Sequence, residues 1–331
     1  MMAENETLRL ELPPYRPPSE AGSLLVRVTK NCPWNKCTFC TMYKGEKFEL
    51  RSVEEVKRDI LSLKAITEGI KEWAGKNGLG EQVGQVARAN GVYWLDDKGE
   101  VKTAFLGDSN SIIMRTAELA EVIEFLYKTF PTLDRVTSYG RAHTVLHRKP
   151  EELKRLKEAG LSRLHLGLET GDDELLAFVE KGATADGMIE AGRKVKKSGI
   201  SLSEYVLLGL GGSDRWKQHA LGTARVLNAI NPDFIRVRTL IIRPESPLWQ
   251  KKEQGEFKIS SPEEILRETR LLIENLDVTS QFVSDHVSNY LPLDGKLPKD
   301  KDALLKSIDI VLETPPALRK GIVQPESLRH L

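Results

Sequence analysis

A chain of 331 residues, 40% hydrophobic and 29% charged, buries a genuine core and has the composition of an ordinary globular protein. Its net charge of +1 supplies no global field toward nucleic acid or a membrane surface. No apolar run reaches the about 20 residues of a membrane-spanning helix, and the opening "MMAENETLRLELPPYRPP" lacks the apolar heart of a secretory signal. A cytoplasmic protein is expected.

Residues 1–22 are rich in Pro and Glu and read as an irregular extension. "SLLVRVTK" (23–30) is a short β-branched strand that runs into "NCPWNKCTFC" (31–40), which holds Cys32, Cys37 and Cys40. "SVEEVKRDILSLKAITEGIKEW" (52–73) starts with Ser and has Glu three residues on, a capping box ahead of a helical repeat. The Gly-rich stretch 75–101 reads as an insertion, with "DDKGE" a tight turn between two short strands. Strands then alternate with helices: 103–108 with 116–130, 135–142 with 149–160, 162–170 with helical pieces over 172–198, 200–212 with 214–229, and 233–242 with 261–276. Six such units, the first strand included, imply right-handed βαβ connections and a parallel sheet. Polar residues share one face of several strands: His165, Gly167 and Glu169 on one, Arg236 and Arg238 on another. That favours an α/β fold in the form of a partial (β/α)6 barrel over 23–278, with working residues at the C-terminal strand ends. Residues 279–331 break the pattern and are expected to cap the substrate side.

The three cysteines are the only ones in the chain, spaced C-x4-C-x2-C within nine residues. A cytosolic odd count reads as metal binding or catalysis rather than a disulfide framework. Three chance buried thiols, a structural zinc with a distant His as fourth ligand, and an iron–sulfur cluster compete. A plant-type [2Fe–2S] centre has this spacing but needs a fourth Cys. A [4Fe–4S] cluster on three thiolates leaves one iron open, as a catalytic metal site requires.

"CPWNKCTFCTMYKG" resembles the cluster loop of the radical S-adenosylmethionine (SAM) enzymes, with Phe39 in the aromatic place before the last Cys and one extra residue between Cys32 and Cys37. "FLGDSN" (105–110), "SYGRA" (138–142), "LGLETGDDELL" (166–176), "LLGLGG" (207–212) and "RTLIIRPESPL" (239–248) resemble the family's later strand ends in order, in the style of the coproporphyrinogen dehydrogenase, Elp3-like and methylthiotransferase-like branch. The resemblance implies a [4Fe–4S] cluster held by Cys32, Cys37 and Cys40, and SAM as second cofactor. It implies Phe39 against adenine, Gly107 and Ser138 at the SAM-holding strand ends, Asp108 for the SAM ammonium, Arg141 for its carboxylate, Glu169 for the ribose hydroxyls, and Gly209 and Gly211 beside the adenosine. Taken singly, Asp108 is equally a helix N-cap, Glu169 a rim salt bridge and Arg141 a surface residue.

The expected reaction is reductive cleavage of SAM to a 5′-deoxyadenosyl radical that abstracts hydrogen from a small-molecule substrate, with flavodoxin or ferredoxin as reductant. Modification of tRNA or protein, and a non-catalytic zinc barrel, are the alternatives. No cysteine remains for a second cluster or for carrying a methyl group, no cobalamin-type domain is expected ahead of the first strand, and the last 50 residues are not basic enough to suggest an RNA module. On the substrate side, "FVSDHVSNYLPLDG" (282–295) offers Asp285, His286, Asn289 and Tyr290, with His286 and Tyr290 as the catalytic candidates. Arg238 is a candidate for a substrate carboxylate or phosphate, or for pairing with Glu204 inside the barrel.

Overall fold

The computed structural model of the protein describes residues 10–315 and residue 319. Its strands are β1 (Leu24–Arg27), β2 (Thr29–Lys30), β3 (Glu49–Leu50), β4 (Thr103–Gly107), β5 (Arg135–Gly140), β6 (Leu161–Glu169), β7 (Ser201–Leu208), β8 (Phe234–Thr239), β9 (Gln281–Val283) and β10 (Asp294–Lys296). The chain divides into two compact units, the first made of residues up to 33, 46–140 and 149–164, the second of 34–45, 141–148 and everything from 165 on. β6 gives its first half to one unit and its second half to the other.

In the first unit the strand order is β1–β4–β5–β6. β1 and β4 pair in parallel from Leu24↔Ala104 to Arg27↔Gly107, and β4 and β5 from Thr103↔Arg135 to Leu106↔Ser138. The predicted first strand is split, and its second part, β2, leaves to pair antiparallel with β3. Helix Val53–Lys76 starts at the expected capping box, Ser52 with Glu55, and helices Thr116–Thr129 and Pro150–Ala159 follow. Leu24, Phe105, Leu106, Ile60, Leu63, Leu119 and Ile123 form a fully buried apolar core.

Two expectations change here. The strands predicted beside "DDKGE" do not form. Asp96 Oδ1 accepts from the N–H groups of Lys98 and Glu100, so a side chain satisfies the donors that a hairpin would pair. The apolar signal there is packing: Val92, Trp94, Leu95 and Val101 are buried, and the Trp94 indole N–H bonds Thr67 on the first helix. Within the irregular extension, Glu20 is fully buried, accepting from Ser23 Oγ at 2.6 Å and Arg135 Nη2 at 3.1 Å.

In the second unit the order is β6–β7–β8–β9–β10. β7 and β8 run parallel from Ser203↔Phe234 to Leu208↔Thr239. β9 adds a further parallel strand beside β8, and β10 closes the edge antiparallel to β9. Helices Ala185–Lys197, Gly212–Ile230 and Pro262–Glu274 are each placed where the periodicity predicts them, and Lys301–Glu313 is an additional one. Strand alternation with this register puts Tyr205, Arg236 and Arg238 on one face, and Glu204, Ile235, Val237 and Thr239 on the other.

Candidate active site

In the first unit, the chain enters Cys32 through Asn31, whose φ of 66° is left-handed. The Asn31 N–H donates to Asp108 Oδ2 at 2.7 Å. Arg27 donates to the same carboxylate from Nε at 3.1 and 3.2 Å and from Nη2 at 2.8 Å. Asp108 is fully buried, and burial pushes its carboxyl upward in pKa against the pull of Arg27 and the Asn31 N–H. It is no helix N-cap. Its charge is met by protein groups, and what it orients is the residue before the first cysteine. A Cβ on Gly107 would lie 2.4 Å from Pro13 Cβ, so the glycine makes room for the N-terminal segment. Ser138 Oγ is buried and donates to the Leu106 carbonyl at 3.2 Å, joining β5 to β4.

In the second unit, residues 34–40 are docked on the loop after helix Asp173–Phe178. The Trp34 indole donates to Glu180 O at 2.7 Å, the Thr38 N–H to Val179 O at 3.0 Å, and the Leu248 N–H to Thr38 O at 3.0 Å. Trp34 lies so close on Gly182 that a Cβ there would stand 2.3 Å from the ring, and the φ of 65° also demands glycine. Phe39 packs against Leu175, Val179 and Leu210. All three cysteines are half-buried and none is in a disulfide.

Glu169 ends β6 with a left-handed φ of 62°, a conformation that costs energy outside glycine. Lys181 Nζ donates to Glu169 Oε1 at 2.8 Å, with both side chains largely buried. Burial pushes the Lys181 ammonium down, but Glu169 and then Cys37 outweigh it and hold its pKa above the usual value. The same ammonium stands 6.0 Å from the Phe39 ring centroid. Arg141 donates to the Lys181 carbonyl at 3.0 Å and lies over the Trp34 ring at 5.1 Å, so it is not a plain surface residue. Lys181 and Trp34 were missing from the sequence reading. Both sit in short polar loops where a charge or an aromatic looks solvated, and only the return of the chain to the end of β6 gives Lys181 its meaning.

Gly209 has a φ of 79°, and its N–H donates to Glu268 at 3.0 and 3.2 Å. Glu268 is fully buried beside His219 Nε2 at 3.2 Å, and His219 Nδ1 is 2.7 Å from Thr170 Oγ1. The ends of β6 and β7 are thus tied through one buried polar chain. A Cβ on Gly211 would crowd the Arg215 carbonyl at 2.9 Å.

The substrate-side candidates separate. Asn289 and Tyr290 are buried, but Asn289 donates to Val237 O at 2.9 Å and accepts from Thr239 Oγ1 at 3.1 Å. Tyr290 shares a small hollow with Leu208, Thr239 and Ile265, on the face turned away from Arg238. Asn289 is thus bonded to β8, with Tyr290 on the same side of the sheet. Glu204 cannot pair with Arg238, because Leu207 registers with Arg238 and Glu204 falls on the opposite face. Burial raises the Glu204 carboxyl well above the usual range, with Lys181 opposing and Glu169 adding to the rise. Arg238 stands instead over the Tyr205 ring at 5.1 Å. Asp285 lies 3.5 Å from Arg236 Nη1. His286 is half-buried, and burial, followed by the charge of Arg238, lowers its pKa to about 4.

The sequence model of the radical SAM superfamily matches residues 95–220. The match takes in strands β4 to β7. The chain is 26% identical over 117 residues to the tRNA uridine(34) acetyltransferase of Methanocaldococcus jannaschii, covering 35% of this chain and 22% of that protein. It is 24% identical over 169 residues to the heme chaperone HemW of Bacillus subtilis, covering 50% and 43%. The radical S-adenosylmethionine methyltransferase TsrM from Kitasatospora setae, solved with cobalamin and a [4Fe–4S] cluster bound, superposes with a TM-score of 0.50 at 17% identity, over 73% of this chain and 39% of that one. The chain spans less than half the length of each of these relatives. The fold is the partial (β/α) barrel of radical SAM enzymes, as the strand pattern predicts. The superfamily's cofactors are a [4Fe–4S] cluster and SAM.

The residues fit the cluster. None of the three cysteines is in a disulfide, and Cys37 and Cys40 lie on a stretch braced by backbone hydrogen bonds. Among the described residues, no three His, Cys, Asp or Glu side chains are arranged to hold a metal ion. The thiolates of a cuboidal cluster each bind a different iron and need no such single point. Among the described residues, no helix is long and apolar enough to cross a membrane.

Proposed function

We propose that the protein initiates radical chemistry on a small-molecule substrate. When bound, the cluster supplies one electron to SAM, whose sulfur–C5′ bond breaks to give methionine and a 5′-deoxyadenosyl radical that takes a hydrogen atom from substrate. The observation that carries this reading is the Lys181–Glu169 pair beside Cys37, at a strained strand end. Cys32, Cys37 and Cys40 hold the cluster. Glu169 would meet the ribose hydroxyls and Arg141 the SAM carboxylate. Gly209 and Gly211 line the adenosine side, held in place by Glu268. Asp108 acts through Arg27 and Asn31 to set the entry to Cys32. A small acidic reductase, flavodoxin or ferredoxin, delivers the electron.

Anaerobic reconstitution tests this directly. The chain is expected to bind about four irons and, once reduced with dithionite, to release 5′-deoxyadenosine and methionine from SAM. Cys37→Ala is expected to lose both the iron and the product. Stoichiometric zinc without iron, or 5′-deoxyadenosine from the Cys37→Ala protein, sinks the reading. The match to a tRNA enzyme makes RNA a second substrate class, and tight, salt-sensitive RNA binding would favour it.

A further inference from the structure

Tyr205, Arg236 and Arg238 share one face of β7 and β8, and their hydrogen-bonding groups are more numerous than their partners. Arg236 is 7% exposed, yet its Nε and Nη1 make no hydrogen bond within the protein. Among the described residues Arg238 Nε is likewise buried without one, and the buried Tyr205 hydroxyl has only the Arg238 guanidinium beside it. The guanidinium groups lie over aromatic rings: Arg236 is 5.6 Å from the Phe234 ring and Arg238 5.1 Å from the Tyr205 ring. Among the described residues, the acid in ion-pair reach of these arginines is Asp285, half-exposed, 3.5 Å from Arg236 Nη1. Buried donors of this kind are costly unless something accepts from them.

His286 completes the set. Its Nδ1 accepts from the Ser288 N–H at 3.1 Å and lies 2.8 Å from Ser288 Oγ. Ser288 Oγ itself accepts from the Thr239 N–H, so its own proton points to Nδ1. The imidazole proton then sits on Nε2, and the ring is neutral and a donor at physiological pH.

We propose that this face binds the carboxylate of the substrate. The site presents donors from Arg236, Arg238, Tyr205 and His286. Two arginines and Asp285 leave a net charge of +1, which one carboxylate cancels and a phosphate dianion overshoots. Planar guanidinium groups suit a planar carboxylate. The radical SAM reading makes this ligand the substrate, but the binding claim stands on the sheet face alone.

The test uses the full chain carrying its reconstituted cluster, titrated calorimetrically with glutarate, phenylacetate and inorganic phosphate. Saturable carboxylate binding at millimolar concentration or tighter is expected. It should weaken roughly ten- to hundredfold in Arg236→Gln and Arg238→Gln, with part retained in Arg238→Lys and in Tyr205→Phe. Unchanged thermal midpoints and circular dichroism show that these variants fold; if the Gln variants do not fold, Tyr205→Phe and Arg238→Lys carry the test. Phosphate binding without carboxylate binding, or carboxylate binding unaffected by the folded variants, overturns the proposal. SAM affinity should be the same in Arg238→Gln as in the parent. If it falls as far as carboxylate affinity does, the site serves the SAM carboxylate and the substrate assignment is wrong. Carboxylate binding in a chain that never yields 5′-deoxyadenosine would uphold the site and refute the radical reading instead.

Discussion

Asp108 and Glu169 both stand at the C-terminal end of a parallel strand. Their surroundings differ. Asp108 is fully buried and filled by a guanidinium fork and a backbone N–H. Glu169 keeps partial exposure, a single lysine partner and a strained backbone. An acid held by an arginine fork and a backbone N–H organises the chain around it. One that leans on a flexible ammonium can trade that partner for a ligand. A carboxylate at a strand end is thus held by an arginine and a backbone N–H in one place and by a lysine in the other.

The contrast can be broken by substitution. Asp108→Ala leaves Arg27 largely buried without its main partner and is expected to cost about 3 kcal/mol in urea unfolding. A fully stable Asp108→Ala protein that fails to bind SAM would reverse the assignment. Glu204→Gln probes the charge beside the Glu169–Lys181 pair. Because burial raises the folded pKa of Glu204, wild-type stability is fully present below the unfolded value, 4.5, and is lost as pH rises through the folded pKa. The Gln variant should therefore be the more stable by roughly 2 kcal/mol at neutral pH, with no advantage below pH 4.5; a constant difference across pH would show that Glu204 is not the group responsible. Glu169→Gln should change stability least, by about 1 kcal/mol, while SAM affinity measured by equilibrium binding drops roughly tenfold or more. Equal SAM affinity in that variant would leave Glu169 a structural ion pair.

Much of this molecule is visible in local sequence. The Ser52–Glu55 box, the alternating strands and the helix periods each act over a few residues, and the elements fall where they predict. The three thiols were legible for the same reason, being close in sequence. What was hidden depends on distant residues meeting. Glu20 finds Arg135 across more than a hundred residues. Gly107 serves Pro13 where an approach to SAM was expected. Lys181 gains its role only by returning to Glu169. The side of the sheet on which Asn289 and Tyr290 lie is set by the pairing of the cap to β8. Alternation along a strand was readable; the register between strands was not.

The docking of residues 34–40 has a consequence for metal uptake. With Thr38 spliced by its N–H to Val179 and by its carbonyl to Leu248, and with Trp34 seated on Gly182, this stretch surrenders its conformational freedom when the polypeptide folds. Cofactor affinity is then not discounted by the entropy of ordering a slack ligand loop, and the apoprotein meets iron and sulfide with Cys37 and Cys40 already on a stiff mount.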